Sequence, residues 1–93
     1  MFDVNEYFDG NVKSLAFKAG EDKATVGVMA AGDYEFGTDS QEHMTLISGE
    51  MSVKLPNEDK WRDIAINETF IVQAKVSFLV KIGCDSAYLC LYK

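Results

Sequence analysis

The chain has 93 residues, a net charge of −6 and a hydrophobic fraction of 47%. These values describe one small folded domain over residues 1–93 and exclude a disordered chain. The lysines are scattered, so the chain lacks the basic surface that nucleic-acid binding needs. No apolar run is long enough to span a membrane, and the acidic N-terminus does not resemble a signal peptide, so a cytoplasmic location is expected. Cys84 and Cys90 are then expected to be reduced, mostly buried thiols.

Turn signals rich in Gly, Asp, Asn and Ser recur at short intervals and separate runs rich in Val, Ile, Phe, Tyr and Thr. In chain order, these runs predict strands at 24–29, 44–47, 51–55, 61–66, 69–72, 76–82 and 87–92. The turn signals include 48–50 and 83–85, each of which contains a glycine. No window shows a sustained helical stripe, so the pattern predicts an all-β sandwich or barrel of antiparallel strands.

Residues 26–56 are laid out like the first motif of a cupin, a jelly-roll barrel. Gly32 opens the motif, Glu42 stands where the metal-binding carboxylate belongs, and Gly49 follows at the spacing typical of cupins. This likeness predicts that the chain is a single-domain cupin.

The histidine positions of that motif hold residues without an imidazole. Phe36 and Thr38 fill the two positions in the first motif, and Phe78 fills the third, in the second motif. A mononuclear cupin site needs about three imidazoles and a carboxylate. His43 cannot replace them, because it adjoins Glu42 and therefore points to the opposite face of its strand. We expect no metal and no other cofactor.

Glu42 is the strongest candidate for chemistry. If its side chain lies inside the barrel, burial raises its pKa unless a cation or hydrogen-bond donors hold it charged. It can then act as a general acid, or accept a hydrogen bond from a polar ligand. The alternatives are an exposed glutamate before the strand, or the partner of an interior arginine.

Arg62 is the strongest candidate for a cation. It shares strand parity with Ile64 and Ile66, so it is expected to reach the apolar side of its strand. Its planar guanidinium suits bidentate phosphate binding better than a lysine does. The alternative is an edge arginine on a solvated surface.

Strand parity also groups the remaining candidates. Tyr34, Phe36 and Thr38 share one face of their strand, and Glu42 and Ser48 share a face of the next, so both sets are expected to point into the barrel. Six aromatic side chains are expected either to belong to the core or to form a stacking platform for a planar ligand. These aromatic candidates are Tyr7, Phe8, Tyr34, Phe36, Phe78 and Tyr88.

Several blocks of the sequence together resemble one family. They are NEYFDGNVKS at 5–14, the spaced Gly32, Tyr34, Phe36 and Thr38, and EHMTLISG at 42–49. On these residues the chain is similar, over nearly its whole length, to the small cupin-fold pyrimidine/purine nucleoside phosphorylases. The match is weakest at 67–81, where Asn67 and Gln73 replace a glycine and a proline of the family. This difference is expected to alter the barrel mouth, and with it substrate preference or activity.

The resemblance implies a homodimeric pentosyltransferase that needs no metal. Inorganic phosphate, the co-substrate, would cleave purine and pyrimidine nucleosides to free base and pentose 1-phosphate. We expect Glu42 and Arg62 to be catalytic, with Glu42 on the ribose hydroxyls or the developing sugar charge and Arg62 on the phosphate. The hydroxyls expected to assist phosphate binding are those of Thr38, Thr45 and Ser48. The side chains expected to pack the base or the sugar are Tyr34, Phe36 and Phe78.

Two other classes of function remain open. A non-enzymatic cupin that binds a small metabolite would use the same barrel and the same aromatic residues, without any dependence on phosphate. A small dimeric interaction protein or stress-associated protein would have a filled barrel and no pocket.

Overall fold

A computed structural model describes residues 2–93 of the chain. These residues form eight strands: β1 (Val4–Tyr7), β2 (Val12–Ala19), β3 (Asp22–Met29), β4 (Gly32–Gly37), β5 (Glu42–Lys54), β6 (Arg62–Ile64), β7 (Thr69–Val72) and β8 (Ser77–Tyr92). Every strand pairing is antiparallel. The predicted all-β class with antiparallel strands is therefore confirmed. No helix within the described range is long and apolar enough to cross a membrane.

Two long strands, β5 and β8, contribute to both layers of the fold. Their N-terminal and C-terminal parts pair as 42–46 with 88–92, and as 51–54 with 79–82, with register shifts between the two stretches. The first layer consequently has the order β1-β2-β3-β8-β5-β7, and the second has the order β4-β8-β5-β6. Because β1, β4, β6 and β7 are edge strands in the described part of the chain, the cupin-type jelly roll is a sandwich with open seams.

The bend between the layers lies where two turns were predicted. Gly49 has a φ of 105°, a conformation that favours glycine, and the Ser86 side chain occupies the space that a Cβ at Gly49 would need. The Ser86 hydroxyl accepts a hydrogen bond from the Glu50 amide at 3.0 Å and donates one to the Cys84 carbonyl at 2.8 Å. The predicted turns at 48–50 and 83–85 are thus wrong, because Glu50 and Cys84 are directly opposed and the ladder continues through a bulge.

One core cluster fills the space between the layers. Its largest fully buried side chains come from both: Val12, Met29, Leu46, Val53, Phe70, Val72 and Val80. Both cysteines are free thiols, as predicted. Cys90 is buried, but Cys84 is exposed, so the expectation of burial is wrong for Cys84, which lies at the bend rather than under a layer.

Candidate functional site

A cavity of about 160 Å³ opens between the two layers. Its polar lining consists of Tyr7, Ser14, Glu42, Tyr88, Cys90 and Tyr92. Its apolar lining includes Met29, Phe36, Met44 and Phe78. A filled barrel, as expected for a purely structural interaction protein, would have no such cavity.

Cross-strand pairing between β5 and β8 places the polar groups on one face. Directly opposed residues of an antiparallel pair point to the same side of the sheet. Glu42 opposes Tyr92, and Met44, two residues further along β5, opposes Cys90. All four line the cavity, so these rows form part of its wall.

Glu42 is a half-buried carboxyl group that forms no ion pair within the described part of the chain. The two ion pairs in residues 2–93 join Lys13 to Glu6 and Lys93 to Asp22, and neither involves Glu42. Burial raises the pKa of Glu42, the hydrogen bond from Cys90 lowers it, and the charge of Asp39 raises it. The net direction is upward, so Glu42 keeps its proton to a higher pH than an exposed glutamate does.

The other polar groups that line the cavity are neutral hydrogen-bond donors. Burial raises the pKa of Tyr88 to about 12, although a hydrogen bond with Ser14 lowers it. Burial also raises the pKa values of Tyr92 and of the Cys90 thiol. A buried thiol with a raised pKa is a poor nucleophile, since the thiolate is the reactive form. The cavity is therefore suited to hydrogen bonding and proton transfer rather than to covalent catalysis by cysteine.

Two phenylalanines form the apolar wall of the cavity, across from these polar groups. Phe36 and Phe78 have ring centroids 5.8 Å apart with an interplanar angle of 32°. Behind them, Phe8 packs edge-on against Phe36, and Phe70 packs edge-on against Phe78. Such rings offer a planar ligand an apolar surface, and their carbon side chains cannot bind a metal. Within residues 2–93 no three His, Cys, Asp or Glu side chains are grouped to hold a metal ion.

Comparison with known proteins identifies the family of the chain. The family profile described as "Pyrimidine/purine nucleoside phosphorylase" matches residues 2–92. The chain belongs to this family. A protein of the same name from Pseudomonas syringae pv. syringae (strain B728a) is 55% identical over 93 residues, which cover 100% of both chains.

Solved structures show the same fold. A protein of unknown function from Vibrio parahaemolyticus has a TM-score of 0.95 at 39% identity, covering 100% of this chain and 99% of the other. A DUF1255 protein of unknown function from Acinetobacter sp. ADP1 has a TM-score of 0.89 at 27% identity, covering 98% and 90%. Both share the all-β antiparallel fold of this chain.

In this family member, the structure brings three of the sequence-predicted residues to the cavity: Glu42, Phe36 and Phe78. Tyr34 lies behind them. It is buried, its ring centroid is 6.1 Å from that of Phe36, and its hydroxyl donates to the Ala30 carbonyl at 2.7 Å. It therefore supports the aromatic wall without lining the cavity.

The three predicted phosphate-binding hydroxyls lie outside the cavity. Thr38 donates to the Gln73 carbonyl at 2.7 Å and so joins two loops. Thr45 lies 2.6 Å from the Thr69 hydroxyl, on the face opposite to Met44, because adjacent residues alternate. Ser48 is exposed, and its predicted inward orientation is wrong because the bulge interrupts the alternation after Leu46.

Arg62 also lies outside the cavity lining. It opposes the buried Val53, which agrees with the predicted parity, but its side chain is exposed. The reason is that β6 is a short edge strand that leaves its first residue uncovered. The expectation that Arg62 reaches the interior is therefore wrong, and the structure does not bring it together with Glu42.

The cavity also contains residues that the sequence did not single out. Ser14, Cys90 and Tyr92 line it, but none of the three was predicted as a site residue, although Ser14 ends the family block at 5–14. Tyr7 and Tyr88 were only general aromatic candidates. Cys90 and Tyr92 share the parity of Tyr88, so alternation along 87–92 could have identified them once Tyr88 was placed inside.

Proposed function

We propose that the chain catalyses metal-independent phosphorolysis of purine and pyrimidine nucleosides, as a pentosyltransferase of broad base specificity. The observation that supports this most directly is Glu42, a carboxyl with a raised pKa in a cavity of neutral donors that two phenylalanines close on the apolar side. The names of the family and of its relatives point to the same activity.

Phe36 and Phe78 pack against the base in this proposal. A wall of carbon atoms contacts the ring faces of purines and pyrimidines alike and does not read their edges. An apolar pocket discriminates between ligands by only about 1–3 kcal/mol, whereas a hydrogen-bonding pocket discriminates strongly. Broad base specificity follows from this chemistry.

Glu42 acts as the general acid. A phosphate oxygen forms a bond to C1′ of the pentose while the C1′–N bond breaks, and the bonding electron pair passes to the base. The Glu42 carboxyl group gives its proton to the departing base, and the carboxylate then regains a proton from solvent. General acid catalysis of this kind contributes typically 10²–10⁴-fold, and alignment of two bound reactants adds to it.

We further propose that the active form is a homodimer. The outer face of the first layer carries exposed apolar side chains: Val4, Val26, Val28, Ile47 and Ile71. The six strands of this layer are spaced about 4.8 Å apart, and each places about three side chains on the outer face. The outer face therefore has an area on the order of 600 Å². A standard interface buries about 800 Å² on each partner, so a second copy of this flat face matches the patch in size and character.

The test is incubation with uridine or adenosine, with and without phosphate and in the presence of a chelator. We expect free base and pentose 1-phosphate only when phosphate is present, with no effect of the chelator. The Glu42→Gln variant should lose at least tenfold in kcat/KM, while Glu35→Gln, an exposed glutamate on β4, should match the wild type. Nucleoside binding without phosphate-dependent release would contradict the proposal and support the non-enzymatic cupin.

A further inference from the structure

Two lysines occupy the same cross-strand row as Glu42. Glu42 opposes Tyr92, Tyr92 opposes Lys23, and Lys23 opposes Lys18. None of these pairings crosses a bulge, since the register shifts lie beyond Leu46. Directly opposed residues point to the same side of a sheet, so both lysines share the face that carries Glu42 and Tyr92.

Lys18 and Lys23 are directly opposed, and within the described residues no ion pair offsets their repulsion. Like charges directly opposite one another destabilise a sheet, and neither lysine takes part in the ion pairs of residues 2–93. The nearby Asp22 opposes Ala19, points to the other face, and binds Lys93 at 2.7 Å. Two adjacent positive charges thus lie on the cavity side of the sheet, in the row that also contains the Glu42 carboxyl group.

Between the lysines and Glu42 lies a pair of hydroxyl groups. The Thr25 and Tyr92 hydroxyls are 3.0 Å apart, and Tyr92 lines the cavity. Ala16 opposes Thr25 and is exposed, so no bulky side chain covers the row at this point. Thr25 itself is buried, so the row from the lysines to the cavity carries two neutral hydroxyl groups, of which that of Tyr92 reaches the lining.

Among residues 2–93, no lysine or arginine lines the cavity. A phosphate ion that reacts with a nucleoside in the cavity needs a cation close to it. Lys23 and Glu42 are separated by two inter-strand spacings, about 10 Å between their backbones. The long, flexible lysine stems can cover part of that distance, so an anion held by them lies between the ammonium groups and a nucleoside that contacts Glu42.

We propose that Lys18 and Lys23, together with the Thr25 and Tyr92 hydroxyls, form the binding site for the phosphate co-substrate at the cavity mouth. The assignment rests on the proposed phosphorolysis. In this assignment phosphate lies on the first layer, on the side of the sugar away from the phenylalanine wall. Lys18 and Lys23 supply the positive charge that was expected from Arg62.

The test is steady-state kinetics of the Lys18→Ala/Lys23→Ala variant with phosphate and nucleoside varied separately. We expect KM for phosphate to rise at least tenfold and KM for nucleoside to stay within twofold. The Lys18→Arg/Lys23→Arg variant should retain most phosphate affinity. Lys60→Ala, which removes an exposed lysine between β5 and β6, is the control and should match the wild type.

Melting temperatures provide a second readout. A purely structural role for the two lysines predicts destabilisation, whereas removal of opposed like charges predicts a melting temperature equal to or above that of the wild type. An unchanged KM for phosphate in the double alanine variant, or a rise caused by Arg62→Ala instead, would overturn the assignment.

A direct binding titration with inorganic phosphate separates this assignment from the proposed function. In one outcome the wild type cleaves no nucleoside but binds phosphate, and the double alanine variant binds phosphate at least tenfold more weakly. This result would support the phosphate site and contradict phosphorolysis. If the wild type is active and both proteins bind phosphate equally, phosphorolysis stands and the site fails.

Discussion

The thiol of Cys90 donates a hydrogen bond to Oε1 of Glu42 at a distance of 3.5 Å. The two residues lie 48 positions apart in sequence and meet because β5 pairs with the C-terminal half of β8. The bond stabilises the ionised carboxylate and opposes the larger effect of burial on the Glu42 pKa. Cys90 is thus positioned to adjust the proton affinity of the proposed general acid.

Replacing Cys90 by alanine should therefore raise the Glu42 pKa further. A general acid is active in its protonated form, so the decline of kcat/KM at high pH should shift to higher pH in Cys90→Ala. Measurement of kcat/KM as a function of pH tests this. Cys84→Ala, which removes the exposed thiol, should leave the profile unchanged, and a shift of the Cys90→Ala profile to lower pH would contradict the assignment.

Glu42 should also make folding stability depend on pH. Its pKa is higher in the folded chain than the ordinary value of 4.5, so the unfolded chain releases this proton first as pH rises. The contribution of Glu42 is fully present below about pH 4.5 and is lost as pH rises through the folded-state pKa. Urea unfolding at a series of pH values should show the wild type losing stability relative to Glu42→Gln over this range. A constant difference between the two proteins would be inconsistent with a raised pKa.

Gly27 should be required for the position of Tyr88. A Cβ at Gly27 would lie 2.7 Å from the Lys13 carbonyl oxygen and 2.7 Å from the Tyr88 hydroxyl oxygen, and the carbonyl belongs to backbone that cannot move freely. Overpacking of this kind costs about 1–3 kcal/mol. Chemical denaturation of Gly27→Ala should show that loss. At Gly37 a Cβ would meet nothing within 4 Å, so Gly37→Ala should be nearly neutral; equal effects at both sites would refute the explanation.

Ser86 should stabilise the bulge that joins the layers. It is buried, and its hydroxyl accepts from the Glu50 amide at 3.0 Å. Alanine would leave this amide without its partner, a loss of about 1–3 kcal/mol in unfolding free energy. The exposed Ser77 on the same strand provides the control, since Ser77→Ala removes a solvated hydroxyl. Urea denaturation of the two variants should separate them by at least 1 kcal/mol, in keeping with that loss.

Alternation along strands was the most reliable part of the sequence interpretation. It placed Phe36 and Phe78 on inward faces and Glu42 in line with Met44, and all of these line the cavity. The prediction holds because successive side chains of a strand point to opposite faces whatever the tertiary context. It failed at Ser48, where a bulge inserts an extra residue and resets the alternation.

Local pattern could not show which segments cover one another. Arg62 has inward parity, yet it is exposed as the first residue of the short edge strand β6. Thr38 belongs to a recognised motif, yet its hydroxyl is used by a loop bond to Gln73. Burial and competing hydrogen-bond partners are properties of the assembled layers, so motif position alone does not decide a residue's role.

The sequence by itself determined the all-β class, the family, and the loss of the cupin histidines, because these depend on residue identity and on the two-residue period of strands. Only the tertiary structure decided that Glu42, Cys90 and Tyr92 share one cavity and that Lys18 and Lys23 lie in the same row. Those relationships depend on long-range pairing of β3, β5 and β8. The raised pKa of Glu42 likewise depends on what covers it, and no local pattern encodes that desolvation.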